Sequence, residues 1–188
     1  MTKAELRREY KARRAVLTAT EYDRHNRKIF QLFRKNFPLT QATTVHCYLA
    51  SIKKRETDTS LIIEYLLEND TFVVTSRSHA NGRLSHHRLT TDTKLEKNQW
   101  NITEPLATEP IVDVKKIDWV LVPLLAFDHQ GYRVGYGQGY YDRFLAQCRP
   151  DVLTIGLSLE PPVDRIEDVN QYDIPLRHII TPNKLFSQ

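Results

Sequence analysis

Apolar side chains recur at helical spacing near the start of the chain. Leu6, Tyr10 and Leu17 fall within about 40° of one another at roughly 100° per residue, which predicts a helix over residues 2–17 with one buried face. Lys3, Arg7 and Arg14 form a second stripe on the same wheel with Lys11 beside it, so three or four cations share one face. Thr18 followed by Glu21 is a capping-box pattern and opens a second helix. In that helix Tyr22, Ile29, Phe30, Phe33 and Phe37 turn toward a core before Pro38 ends it.

Beyond Pro38 the pattern changes to short apolar runs separated by turn residues. "TTVHCYLA" (43–50) predicts a strand, "SIKKRETDT" a loop, and "SLIIEYLLEN" a helix starting near Thr59 or Ser60. "TFVVTSRS" predicts a second strand, followed by an "ANG" turn and a return strand "RLSHHRL". Residues 90–115, including "WNITEP", show little periodicity and predict a long connection. "KIDWVLVPLLAF" predicts a fully buried strand, "YYDRFLAQC" a helix with Tyr141, Phe144, Leu145 and Cys148 on one face, "VLTIGLSL" another strand, and "RHIIT" a last short one. Strands alternating with helices predict an α/β fold, a three-layer sandwich with a mostly parallel sheet.

Composition adds limits rather than a function. A chain of 188 residues with 40% hydrophobic and 27% charged residues fits a single domain spanning 1–188, with no internal repeat to divide it. No stretch is long and apolar enough to span a bilayer, and "MTKAELRREYKARR" lacks the apolar stretch of a signal peptide. Cys47 and Cys148 stand in neither a disulfide framework nor a metal-ligand pattern, so a reducing cytoplasm is expected. A net charge of +4 favours anionic partners without naming them.

The densest chemistry lies in "DHQGYRVGYGQGYYDRFL" (128–145), which holds four of the six glycines and four of the nine tyrosines. It follows a predicted buried strand and runs into a predicted helix, the position at which open α/β sheets bind ligands. Gly135, Gly137 and Gly139 alternate with larger residues and let backbone amides converge where a Cβ would obstruct them, which suits phosphate. The segment matches neither a P-loop, which needs Gly-Lys followed by Ser or Thr, nor the dinucleotide fingerprint, where Tyr140 replaces the third glycine. A glycine-rich turn built on "DHQG" and "GYG" fits the same spacing. Arg133 and Arg143 are candidate anion clamps or solvated charges. Asp142, in a first helical turn, either stabilises the helix dipole or, beside bound phosphates, suits Mg²⁺.

"FDHQGYRVGYGQGYYDRFL", taken with "KAELR" near the start and "YDIPLRHIITP" near the end, resembles the 5-formyltetrahydrofolate cyclo-ligases, or methenyltetrahydrofolate synthetases. The match runs in order over nearly the whole chain. It implies a ligase of one-carbon metabolism with ATP and Mg²⁺ as requirements. The reaction is conversion of 5-formyltetrahydrofolate to 5,10-methenyltetrahydrofolate with release of ADP and phosphate. It also implies a fold of the glucosamine-phosphate isomerase and CoA transferase type.

Residue by residue, the resemblance assigns Lys3, Arg7, Arg133, Val134, Gly135, Tyr136, Gly137, Gln138, Gly139, Tyr140 and Tyr141 to ATP. It assigns Glu56, Trp100, Tyr136, Gly137, Gln138, Gly139 and Tyr140 to the folate, and Asp142 and Asp173 to Mg²⁺. By themselves Lys3 and Arg7 would be a solvated face, Glu56 part of a charged loop, and Trp100 a core or rim residue. Three positions depart from common family patterns: Gln138 where Gly or Lys is frequent, Leu124 for Gly, and Ser76 for Pro.

The implied reaction needs positioning and charge neutralisation rather than a covalent nucleophile. His79, His86 and His87 cluster in the predicted hairpin, but adjacent residues of a strand point to opposite faces, so packing or surface roles are expected rather than a metal site. A monomer or weak homodimer binding 5-formyltetrahydrofolate and ATP, with no nucleic-acid or membrane partner, is expected. The competing classes are a nucleic-acid binder using the basic first helix, and an ATP-independent isomerase or acyl transferase using the glycines for a substrate phosphate.

Overall fold

The computed structural model describes residues 1–40 and 43–188. Helix α1 (Lys3–Val16) starts at Thr2 and α2 (Ala19–Asn36) at Thr18, each with a complete capping box closed by Glu5 and Glu21 respectively. The two caps fix where each helix begins. Along α2, Tyr22, Ile29 and Phe33 are buried and Phe37 closes the end, as the spacing predicts. Asn26 joins that face because its amide is satisfied on both sides: Nδ2 donates to the Tyr22 carbonyl at 2.9 Å and Oδ1 accepts from Asp58 N–H at 2.9 Å.

The strands and remaining helices follow in chain order. They are β1 (Thr44–His46), α3 (Ser60–Glu68), β2 (Phe72–Ser78), β3 (Leu84–Arg88), β4 (Leu95–Lys97), β5 (Thr103–Pro105) and β6 (Trp119–Pro123). After these come β7 (Ala126–Phe127), β8 (Arg133–Val134), α4 (Tyr140–Leu145), β9 (Leu153–Leu157), β10 (His178–Ile180) and β11 (Leu185–Ser187). Seven strands form one sheet in the order β11-β10-β9-β6-β1-β2-β3. The five inner strands pair in parallel and the two edges, β3 and β11, are antiparallel.

Period-two alternation divides the strand side chains between two cores. Val45, Val73, Leu121, Ile155, Leu157 and Ile180 pack with α2 and α3 on one face. Val74, Val120, Val122 and Ile179 pack with Phe144 and Leu145 of α4 on the other. A third cluster, Leu6, Tyr10, Leu125, Ala126, Val134 and Ile166, seats α1 against the β7–β8 hairpin. The expected mostly parallel α/β sheet between helical layers is therefore observed.

Several boundaries differ from the sequence reading. The apolar run 116–127 is two strands in two sheets: β6 ends at Pro123, and Leu125 N–H turns to the Val134 carbonyl at 2.7 Å. Leu124 makes the corner, giving its carbonyl to Arg14 and its side chain to the space over Gly156, where an added Cβ would lie 2.7 Å from Leu124 Cδ2. The long connection contains the β4–β5 hairpin, and β11 follows the strand expected to be last. His86 and His87 are both buried, on opposite faces as expected. His87 Nδ1 lies 2.8 Å from the Glu109 carbonyl oxygen, and His86 shares Ser76 Oγ with His46.

Candidate active site

The glycine segment leaves the β7–β8 hairpin and runs across the N-terminal half of α1 before entering α4. Asp128 builds its first turn, accepting from Gln130 and Tyr132 N–H with one oxygen and from Ile166 N–H with the other. Arg7 then holds the segment: its Nε donates to the Gly135 carbonyl at 2.9 Å, and its guanidinium lies directly under Gly137, where a Cβ would be 3.2 Å away. Gly137 has φ +96° and Gly139, the residue before α4, φ +64°, so the path needs glycine at both. Gly135 is different. It has no positive φ and a Cβ there would meet nothing within 4 Å, so the fold does not require glycine at the point where the segment borders open space.

Arg143 pins the far side, donating to the carbonyls of Gln138 at 2.5 Å and Gly82 at 2.8 Å, while the Tyr140 hydroxyl reaches the His79 carbonyl at 3.2 Å. Gln138 itself is exposed. Arg143 thus ties the segment to the β2–β3 turn rather than standing free as an anion clamp.

The charged residues expected from different parts of the chain meet in one network. Arg133 is 8% exposed; its Nη2 donates to Asp142 Oδ1 at 2.7 Å and its Nη1 to the Ile174 carbonyl at 2.5 Å. Ile174 N–H returns to the same Asp142 oxygen at 3.3 Å, and the preceding residue, Asp173, forms an ion pair with Lys3 Nζ. Burial lowers the Arg133 pKa, and Asp142 and Asp173 oppose that shift. Arg133 therefore lies behind the carboxylates and orients Asp142. Lys3 pairs with Asp173 and Arg7 bonds the Gly135 carbonyl, both from α1.

Glu56 sits opposite, in a loop that closes on itself. A 3-10 turn (Ile52–Lys54) leads to Arg55 at φ +47°. Glu56 N–H donates to the Ser51 carbonyl at 3.2 Å, and Glu56 Oε2 accepts from Ser51 N–H at 2.7 Å. The hydroxyls of Tyr22 and Tyr48 donate to the carbonyls of Glu56 and Thr57, so the carboxylate is buried rather than carried on a solvated loop. Glu56 Oε1 accepts no hydrogen bond among the described residues.

Tyr136 joins the two halves. Lys11 Nζ lies 5.3 Å and Lys54 Nζ 5.1 Å from its ring centroid, one from α1 and the other from the Glu56 loop. Burial raises the Tyr136 hydroxyl well above its ordinary pKa and Glu56 adds to the shift, so the phenol stays a proton donor beside that carboxylate.

A sequence model of the 5-formyltetrahydrofolate cyclo-ligase family matches residues 1–182. The chain belongs to the 5-formyltetrahydrofolate cyclo-ligase family. The Escherichia coli K12 protein named 5-formyltetrahydrofolate cyclo-ligase is 29% identical over 79% of this chain and 83% of its own length. The Haemophilus influenzae protein of the same name is 24% identical over 94% and 95%. Among solved structures, the Aquifex aeolicus 5,10-methenyltetrahydrofolate synthetase superposes with TM-score 0.78 at 25% identity, covering 100% of this chain and 93% of that one. The Mycoplasma pneumoniae synthetase, at 23% identity, shares the fold with TM-score 0.73 over 97% and 99%.

Two carboxylates of this network keep a free oxygen and could hold a divalent cation. Asp142 and Asp173 each commit one carboxylate oxygen to protein partners, while Asp142 Oδ2 and Asp173 Oδ1 accept no hydrogen bond among the described residues. No group of three or more His, Cys, Asp or Glu converges among the described residues. Two carboxylates with one free oxygen each are a donor set that Mg²⁺ could use, since it usually takes one or two carboxylates and fills its octahedron with phosphate oxygens and water.

Trp100 is not brought to Glu56 or the glycine segment by any hydrogen bond or ring contact among the described residues. It sits half exposed between β4 and β5, on a cleft shared with Arg77, Ser78 and buried Glu104. Sequence reading does not find Tyr22 and Tyr48 as supports of the Glu56 loop, and it puts Arg14 on the cationic stripe without showing that it is buried. Arg14 is 3% exposed.

Proposed function

We propose that Tyr136 marks the point where 5-formyltetrahydrofolate, held by Glu56, meets MgATP, held by Lys3, Arg7 and residues 133–141. The activity follows from family membership: ATP-dependent conversion of 5-formyltetrahydrofolate to 5,10-methenyltetrahydrofolate. The division of labour is supported by one observation, that α1 and the Glu56 loop place cations over the same Tyr136 ring.

The formyl oxygen cannot leave as oxide, so it must become part of a better leaving group. In the proposed reaction that oxygen attacks the γ-phosphorus of ATP, the bond to the ADP oxygen breaks, and ADP departs. N10 then attacks the formyl carbon and gives up its proton to water; the carbon–oxygen bond breaks, phosphate leaves, and the methenyl bridge remains. Little acid or base chemistry is asked of the protein, and the main contributions are alignment and charge neutralisation. The open space at Gly135 and the backbone of residues 135–139 admit the phosphates, with the Arg7 guanidinium beneath Gly137 and Lys3 exchanging its Asp173 partner for phosphate oxygen. Mg²⁺, held by the free oxygens of Asp142 and Asp173, would supply further neutralisation of phosphate charge. Glu56 accepts paired N–H donors from the pterin, a geometry that suits a carboxylate with one oxygen already fixed by Ser51. A folate contact at Trp100 belongs to the same reading but would have to be made on the separate cleft beside Arg77.

A reducing cytoplasm agrees with Cys47 and Cys148 being free thiols. No helix among the described residues is long and apolar enough to cross a membrane. A monomer or weak homodimer with no nucleic-acid partner completes the reading. Phosphate release from MgATP that depends on 5-formyltetrahydrofolate and matches methenyl product one for one tests it. ATP hydrolysis indifferent to the folate, or folate turnover without ATP, would overturn it.

A further inference from the structure

We propose, building on Glu56 as the pterin acceptor, that Arg14 is a positioning residue for folate recognition. Its buried guanidinium orients the Tyr136 hydroxyl and, through it, the Glu56 carboxylate. An ionised guanidinium at 3% exposure is costly unless its donors are used, yet Arg14 has no carboxylate within ion-pair distance among the described residues. One Nη2–H donates to the Leu124 carbonyl, and Nε is buried with no partner. A fold that needed only an apolar filler at this place would not keep such a group.

Helical spacing shows which wall Arg14 belongs to. Arg7, Lys11 and Arg14 stand at i, i+4 and i+7, neighbours along one face of α1. Arg7 bonds the Gly135 carbonyl and Lys11 lies over the Tyr136 ring, so the stripe follows the glycine segment residue by residue. Arg14 is next along that line. The other wall is the Glu56 loop: Lys54 over the same ring, the Tyr22 hydroxyl on the Glu56 carbonyl, and the Tyr48 hydroxyl on the Thr57 carbonyl. Burial raises the pKa of all three phenols, Tyr22, Tyr48 and Tyr136, and the nearby Arg14 charge opposes each shift, so Arg14 lies close to the whole of this buried cluster. A planar guanidinium serves several donors in fixed directions at once, which a lysine ammonium does not.

The test is a cycle of Arg14→Lys, Glu56→Gln and the double variant, read by equilibrium binding of 5-formyltetrahydrofolate and by KM for each substrate. Arg14→Lys is expected to weaken folate binding about 10-fold while KM for MgATP changes less than about 2-fold. In the Glu56→Gln background the same change is expected to have no further effect on folate binding. Tyr136→Phe, which keeps the ring and removes the hydroxyl, is expected to reproduce the Arg14→Lys loss and is decisive where the arginine variant fails to fold. Additive losses, or parallel rises in both KM values, would mean that Arg14 only supports the fold. If Glu56→Gln alone leaves folate binding unchanged, the pterin assignment fails. If Glu56→Gln is impaired while Arg14→Lys and Tyr136→Phe bind folate normally, Arg14 as a positioning residue fails.

Discussion

Arg133 Nη2 donates to Asp142 Oδ1 at 2.7 Å, with the guanidinium nearly out of contact with solvent and the carboxylate at the edge of the glycine segment. The pair therefore carries two duties that substitutions can separate. Asp142→Ala leaves a buried cation unpaired and is expected to destabilise the fold by about 3 kcal/mol as well as abolish MgATP use. Asp142→Asn keeps an oxygen for Arg133 and the Ile174 N–H, so thermal unfolding should stay near wild type while activity falls and a higher Mg²⁺ concentration is needed. Calorimetry alongside a Mg²⁺ titration of the rate checks both.

Gly135 and Gly137 should respond in opposite ways to the same change. Gly135→Ala places its methyl in open space without backbone strain, so stability is expected to stay within about 1 kcal/mol while KM for MgATP rises. Gly137→Ala, at φ +96° over the Arg7 guanidinium, is expected to lose stability as well as activity. Denaturant midpoints measured with ATP kinetics distinguish the two.

Glu56→Gln retains shape but offers a neutral oxygen to the pterin donors. Folate KM is expected to rise on the order of 10- to 100-fold, the range for a charged hydrogen bond, with KM for MgATP little changed. Steady-state kinetics with each substrate varied in turn checks the split.

His46 and His86 give the fold a defined acid sensitivity. Ser76 Oγ lies 2.6 Å from His46 Nε2 and 3.2 Å from His86 Nδ1, and the His86 ring packs 4.0 Å from Phe144 of α4. Burial lowers both pKa values, that of His86 to about 4, with neighbouring His87 adding to the His86 shift. The unfolded chain therefore binds more protons than the folded one between about pH 6.5 and 4, and stability must fall as pH falls through that window. For His86 alone the loss is on the order of 3 kcal/mol. Unfolding midpoints from pH 7.5 to 4.5 should decline in wild type and decline less in His86→Asn.

Elements with strong local signals were legible in the sequence. The Thr18–Glu21 box, the apolar face of α2 and the buried run of β6 all stand where spacing puts them. Weak local signals hid the rest: β4, β5 and β11 are three residues each, and β11 is an edge strand defined by its pairing with β10. Periodicity puts Arg7 and Arg14 on one stripe but does not show which neighbours that stripe meets: Arg7 meets the Gly135 carbonyl and buried Arg14 the Leu124 carbonyl rather than water. The Ser76 departure from Pro likewise acquires a reason only when His46 and His86 are seen on either side of its hydroxyl. Glu56 and Asp173 were reached through resemblance, because Glu56 bonds Ser51 N–H inside an irregular loop with no periodic signal and Asp173 pairs with Lys3 from the other end of the chain.

The most direct measurement is absorbance of 5,10-methenyltetrahydrofolate after folded protein is mixed with 5-formyltetrahydrofolate and MgATP, with each component omitted in turn. Product is expected only when protein, folate, ATP and Mg²⁺ are all present. No product from well-folded protein in the complete mixture, or equal product without ATP, would contradict the account.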